Sequence, residues 1–175
     1  MSTVPTRKRC FEPVVDHRTG LLVLGSLPGE QSLKSNEYYA NRQNRFWMLM
    51  SEVIGLDLRA LDYAARLQAL LANGVGLWDV VAQAHREGSL DSRIRDRADN
   101  DLPALLATLP DLTTIAFNGG TAARLGLKVL GQHAERYRIV QLPSSSPAYT
   151  FPYAEKLRLW QVLRASESDA LSRRA

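Results

Sequence analysis

With one cysteine, Cys10, among 175 residues, the chain cannot build an internal disulfide framework. The same scarcity excludes a protein-held iron–sulfur cluster, which ordinarily takes four thiolates. Its three histidines, His17, His85 and His133, are far apart and show no metal-binding spacing such as His-x-x-x-His. No metal and no cofactor are expected. Long apolar runs are missing too, since none approaches the roughly 18 residues that cross a bilayer. The first sixteen residues carry Arg7, Lys8 and Arg9 without the apolar stretch of a secretory signal. The expectation is a cytoplasmic protein that works as a monomer away from membranes.

What is present is ordinary globular material, 45% hydrophobic and 23% charged. A chain of this length is expected to form one domain over 1–175 and to bury about two thirds of its unfolded surface. Residues 1–20 and 166–175 read as loosely ordered. Net charge is +4, with arginines bunched at Arg86, Arg93, Arg95 and Arg97, and Arg42 and Arg45 further upstream. Such a surface attracts polyanions through counterion release, although Glu87, Asp91 and Asp96 are interleaved.

Apolar runs at Leu21–Gly25, Val75–Val81, Thr113–Phe117 and Arg138–Leu142 read as strands. Helical spacing fills residues 45–54 and 58–71, with a short helix at 102–109 and others at 121–127 and 152–165. The segment Ala82–Asn100 is charged and reads as loop. Strands alternating with helices imply an α/β fold, a three-layer α/β/α sandwich around a four-stranded, mainly parallel sheet.

Two loops leave strand ends where ligands bind in such sheets. The first runs through Gly25-Ser26-Leu27-Pro28-Gly29-Glu30 to Tyr38-Tyr39-Ala40 and Asn44-Arg45-Phe46-Trp47. The second is Leu142-Pro143-Ser144-Ser145-Ser146-Pro147-Ala148-Tyr149. Phe46 offers a ring to stack on a planar ligand and Asn44 an amide to orient water. Equally, Asn44 is a helix cap and Phe46 a core residue. Asp79 is odd in an apolar strand; it either marks the strand exit or accepts a hydrogen bond from a ligand. Tyr39 suits a pocket wall or the core. Ser144, Ser145 and Ser146, stiffened by Pro143 and Pro147, could hold a phosphate. No Gly-x-Ser-x-Gly elbow is present, so a serine hydrolase is not expected.

The first loop, with Gly76-Leu77-Trp78-Asp79, Phe117-Asn118-Gly119 and the serine loop, resembles the uracil-DNA glycosylase superfamily. Within it, the chain is most similar to the deoxyinosine (hypoxanthine)-DNA glycosylase branch. These pieces follow in order over most of residues 21–160. The resemblance implies a monofunctional DNA glycosylase of base excision repair. Such an enzyme flips a deaminated base, hypoxanthine above all, out of damaged DNA and hydrolyses its N-glycosidic bond.

Relatives place a water-activating Asp or Asn just before the proline of the first motif, and here that residue is Leu27. The resemblance therefore assigns catalysis to Asn44 and base stacking to Phe46. It places Gly25, Ser26, Tyr39, Asp79 and Asn118 around the base. Ser144, Ser145, Ser146 and Pro147 would grip DNA, and Leu142 stands where some relatives carry a histidine. No lysine except Lys34 lies in either loop, so a Schiff-base lyase step is not suggested and hydrolysis alone is expected. The alternatives are a uracil-DNA glycosylase with an unusual active site, or a catalytically silent nucleic-acid-binding relative.

Overall fold

The computed structural model describes residues 6–164. The chain forms β1 (Lys8–Arg9), β2 (Leu21–Gly25), α1 (Glu30–Ser35), α2 (Phe46–Ile54), α3 (Tyr63–Ala72) and β3 (Val75–Asp79). It continues through β4 (Val81–His85), β5 (Arg95–Asp99), α4 (Leu102–Leu106), β6 (Thr114–Asn118), α5 (Gly120–Leu130), β7 (Arg138–Leu142) and α6 (Tyr153–Trp160).

Four strands make a parallel sheet in the order β3-β2-β6-β7. The expected sandwich is present. β2 is central and nearly continuous in apolar residues because helices cover both of its faces. Successive side chains of a strand point to opposite faces. Leu22 and Leu24 pack with Ile115, Phe117, Leu125 and Leu130 on one side, while Val23 packs with Phe46, Met50, Leu77 and Trp160 on the other. Each of these buried side chains stabilises the fold by roughly 1.5–3 kcal/mol.

The chain winds from β2 to β3, then returns across β2 to β6. The topological switch point therefore lies between β2 and β6, and their carboxyl ends are Gly25 and Asn118. Both functional loops depart from this end of the sheet. A cleft of about 650 Å³ opens at the opposite end, between Gly20, Gly74, Thr113 and Arg138. Among the described residues, the buried side-chain atoms left without a partner, Asp79 Oδ2 and His85 Nδ1, do not belong to residues lining it.

Several expectations need correction. The run 75–81 is not one strand: β3 of the parallel sheet ends at Asp79, Val80 N–H bonds to Gly25 O, and the chain passes into β4 of a different sheet. The charged segment 82–100 is not loop. β4 pairs antiparallel with β1 on one side and with β5 on the other, in a second, three-stranded sheet. The exposed edge strand β5 carries Arg95, Asp96 and Arg97, and such charge blunts an edge while hiding the apolar alternation that would announce a strand.

Residues 6–20, expected as a loose arm, are tied to the body through β1, through the Val14–Leu77 pair and by Trp78 Nε1 donating to Phe11 O. Residues 1–5 and the expected frayed tail from Ser166 lie outside the described residues. Asp62 caps α3 by accepting from Ala65 N–H, so the expected helix 58–71 is split there. The first loop also contains α1, a short helix not foreseen in it.

Candidate active site

The two loops converge. Arg45 N–H, at the start of α2, donates to Ser145 O in the serine loop at 3.0 Å. Asn118 joins them from below at the end of β6. Its Oδ1 accepts from Ser145 N–H at 2.9 Å, and its Nδ2 donates to Ser145 Oγ at 2.9 Å and to Tyr39 O–H at 3.3 Å. Gly119, in the left-handed region at φ +100°, turns the chain under Ser144; a Cβ there would lie 3.1 Å from Ser144 Cβ.

Three of the expected contacts are therefore already engaged within the protein. Ser145 is 1% exposed and spends its N–H, carbonyl and hydroxyl on Asn118 and Arg45, so it holds the loop together. Asn118 has used its carbonyl and both amide protons, so it positions Tyr39 and Ser145. Ser26 Oγ donates to Asp91 Oδ1 at 2.6 Å and anchors the first loop from beneath.

Phe46 is also placed differently from the expectation. Its side chain is 0% exposed, with Tyr39 stacked on one face at a centroid distance of 3.8 Å and an interplanar angle of 17°. Trp47 and Trp160 meet it edge-on. Tyr39 is the outer ring of the pair, partly exposed and set by a left-handed backbone at φ +54°. Such a backbone costs a non-glycine residue energy and persists only where neighbours over-determine it; here they are Phe46 and the Asn118 amide. Sequence spacing identified both aromatics, but not which lies over the other.

The first loop is braced by a cation that sequence reasoning took for part of a solvated patch. Arg86, buried at the end of β4, donates to Leu27 O, Pro28 O and Gly88 O. Ser89 Oγ accepts from Glu30 N–H, and Lys8 pairs with Glu30 at 3.3 Å on the surface. Desolvation draws the Arg86 pKa down, while Asp91, Glu30 and Asp79 oppose it.

Asp79 lies in register with Gly25 across the β2–β3 pair. A Cβ on Gly25 would sit 2.6 Å from Asp79 Oδ1 and 3.2 Å from Tyr39 O–H, so glycine is required there for close approach. The carboxyl is 4% exposed, and its Oδ2 has no hydrogen-bond partner among the described residues. Burial, and next the charge of Asp91, push its pKa up to about 7; Arg86 acts in the other direction. Burial and the same carboxyl raise the Tyr39 pKa as well.

Asn44 is half-buried just before α2. It does not occupy the cap position, which Arg45 takes; instead its Oδ1 accepts from Phe46 N–H at 3.0 Å in an Asx turn. That bond fixes the side chain and leaves Nδ2 with two donors and Oδ1 with a second lone pair.

On the other side, α6 carries the serine loop on one face. Trp160 Nε1 donates to Pro143 O at 2.9 Å, and the buried Lys156 Nζ donates to Ser146 O at 3.2 Å and Tyr149 O at 2.7 Å. Burial and then Arg45 lower the Lys156 pKa. Ser144 and Ser146 remain partly exposed and Pro147 exposed. Nothing in the loop sequence pointed to Lys156, which lies seven residues beyond it; its four-residue spacing from Trp160 was the available signal.

A parallel sheet with two loops at the carboxyl end of its strands, an aromatic stack in one of them and the buried Asp79 carboxyl at the end of β3, is an α/β fold built to take a ligand at its switch point. A family model for the uracil DNA glycosylase superfamily matches residues 12–167, and the chain belongs to that superfamily. It is 42% identical over 113 residues to a hypoxanthine DNA glycosylase of Methanosarcina barkeri, covering 65% of this chain and 72% of the relative. To the hypoxanthine DNA glycosylase of Methanosarcina acetivorans it is 41% identical, over 81% of this chain and 87% of the relative. The solution NMR structure of a candidate uracil DNA glycosylase from Methanosarcina acetivorans superposes with a TM-score of 0.77. The two are 38% identical, and the match covers 90% of this chain and 99% of that one.

Proposed function

We propose that the protein is a monofunctional hypoxanthine-DNA glycosylase that opens base excision repair. What supports the reading is the joining of the two loops: Arg45 N–H, next to Asn44, bonds to Ser145 O, and Asn118 links Ser145 to Tyr39 of the Tyr39–Phe46 stack. The names of the two relatives supply the base. A hypoxanthine rotated out of the duplex stacks on the outer face of Tyr39, with Phe46 as a fixed backing. Asn44 orients the water that attacks C1′, while neighbouring negative charge stabilises the oxocarbenium-like sugar. Ser144, Ser146 and the exposed Pro147 meet the phosphates, and the loop is stiff before DNA arrives because Asn118, Lys156 and Trp160 already hold it.

Tyr149 and Phe151 stand at the loop's outer rim, 47% and 36% exposed, with centroids 5.7 Å apart. They suit stacking against bases exposed when the target leaves the helix. The protein acts as a monomer, and its free, half-exposed Cys10 fits the reducing cytoplasm.

The test is excision from duplex oligonucleotides carrying hypoxanthine or uracil, followed by alkaline cleavage of abasic sites. Scission at hypoxanthine is expected, falling about 10²–10³-fold in Asn44→Ala, the scale of a preorganised polar group. Full activity in that variant would remove Asn44 from the reaction. No scission at either base would leave a silent DNA binder.

A further inference from the structure

We propose that Asp79 is the proton donor of the reaction, passing the hydrogen of its carboxyl to N7 of the departing purine as the glycosidic bond breaks. The proposal deepens the hypoxanthine reading and rests on it.

Position is the first ground. Asp79 ends β3 beside Gly25, and its Oδ1 lies against the same bare Cα as Tyr39 O–H. The carboxyl thus sits at the hydroxyl end of the ring on which the base stacks. Adding a methyl at Gly25 would close the approach. The second ground is the unpaired Oδ2. A buried polar atom is almost always satisfied, and one that is not calls for a partner supplied from outside the chain. No described side chain takes a hydrogen bond from this carboxyl, so its proton is free for the unprotonated ring nitrogen of a purine.

The third ground is the state of the group. Asp91 and Arg86 face it from the β4–β5 connection and the end of β4, Tyr38 and Tyr39 from the first loop, and Cys10 from the N-terminal segment. Arg86, the cation of this set, is committed to three backbone carbonyls. Burial and Asp91 outweigh it and hold the carboxyl protonated up to about pH 7. The other candidates are ill suited. Tyr39 is too weak an acid once buried, Lys156 is committed to two carbonyls of the serine loop, and Leu27 and Leu142 have no proton to give.

The C1′–N9 bond breaks and its electron pair enters the purine. The Asp79 proton moves to N7, so the base leaves neutral. The new carboxylate stands near the sugar cation and stabilises it. Water held by Asn44 forms the C1′–O bond and releases a proton to solvent, from which Asp79 is reprotonated. One water is consumed.

Single-turnover excision, followed from about pH 5 to 9, tests this with hypoxanthine and 7-deazahypoxanthine substrates in the wild type and in Asp79→Asn. Expected for the wild type on hypoxanthine is a plateau in acid and a fall of about tenfold per pH unit above neutrality. Asp79→Asn, close in shape but without a transferable proton, should be about 10²-fold slower with that fall absent. The deaza substrate, which has no basic N7, should be slow with the wild type and no slower with the variant. A flat wild-type profile, or an equal loss on both substrates in the variant, overturns the proton transfer. These wild-type measurements decide the matter even if Asp79→Asn does not fold. Release of uracil but of no purine by the wild type overturns the proposed substrate as well, and so marks a different failure.

Discussion

Asn118 grips Ser145 at both ends of its side-chain amide, with two hydrogen bonds of 2.9 Å, while the same Nδ2 reaches Tyr39 O–H at 3.3 Å. One side chain at the end of β6 thus sets the serine loop and the stacking ring together. Truncation in Asn118→Ala leaves a buried N–H and a buried hydroxyl without partners, each costing about 1–3 kcal/mol. Urea unfolding should show a loss of about 2–4 kcal/mol, and excision should fall with it.

Gly25→Ala places a methyl 2.6 Å from Asp79 Oδ1 and 3.2 Å from Tyr39 O–H. Strand β2 itself tolerates alanine, so the strain falls on the crevice. Excision is expected to drop at least about tenfold, with a stability change of about 1–3 kcal/mol, the usual cost of overpacking. A variant with wild-type turnover would show that these two side chains do not border the reacting base.

Tyr39 offers two separable contributions. Tyr39→Phe keeps the ring on Phe46 and loses one hydrogen bond, so stability should fall by about 0.5–1.5 kcal/mol and base binding should change little. Tyr39→Ala removes the stacking surface; loss of about 1–3 kcal/mol in binding to a product base or damaged oligonucleotide is expected. Fluorescence titration of the two variants separates the effects. Equal loss in both would assign the role to the hydroxyl.

Stability should carry the signature of Asp79. Its folded-state pKa, about 7, lies well above the 3.8 of a solvated aspartate. The native state therefore binds the proton more tightly, and the resulting stabilisation is fully present below about pH 4. It is lost as pH rises through 7, with a slope of at most about 1.4 kcal/mol per pH unit. Other carboxylates titrate in the same range, so the informative quantity is wild type minus Asp79→Asn. That difference, from chemical denaturation, should shrink steadily between about pH 4 and 7.

Much of the fold was legible because its determinants are local. The four parallel strands are short apolar runs, and β7 begins at Arg138 and ends at Leu142, as periodicity indicated. The second sheet was not legible. β1 is two residues long and β5 is almost wholly exposed, so neither buries enough apolar surface to leave a pattern. Asn44, Tyr39, Phe46, Asp79 and the serine loop could all be named from sequence, since amides, aromatics and hydroxyls at strand ends are conspicuous. Arg86 and Lys156 were not, because a buried cation satisfied by backbone carbonyls looks in sequence like any solvated one.

The sequence by itself determined the layered α/β architecture and the two strand ends from which the site is built, for hydrophobic periodicity and turn residues act over a few positions. Only the tertiary structure decided which of these side chains touch one another. It placed Phe46 beneath Tyr39 and joined Asn118 to Ser145 and Tyr39 by hydrogen bonds. It also left Asp79 buried with an unpaired oxygen. Those outcomes depend on hydrogen bonds and desolvation between residues 27 to 79 positions apart, and no local pattern records them.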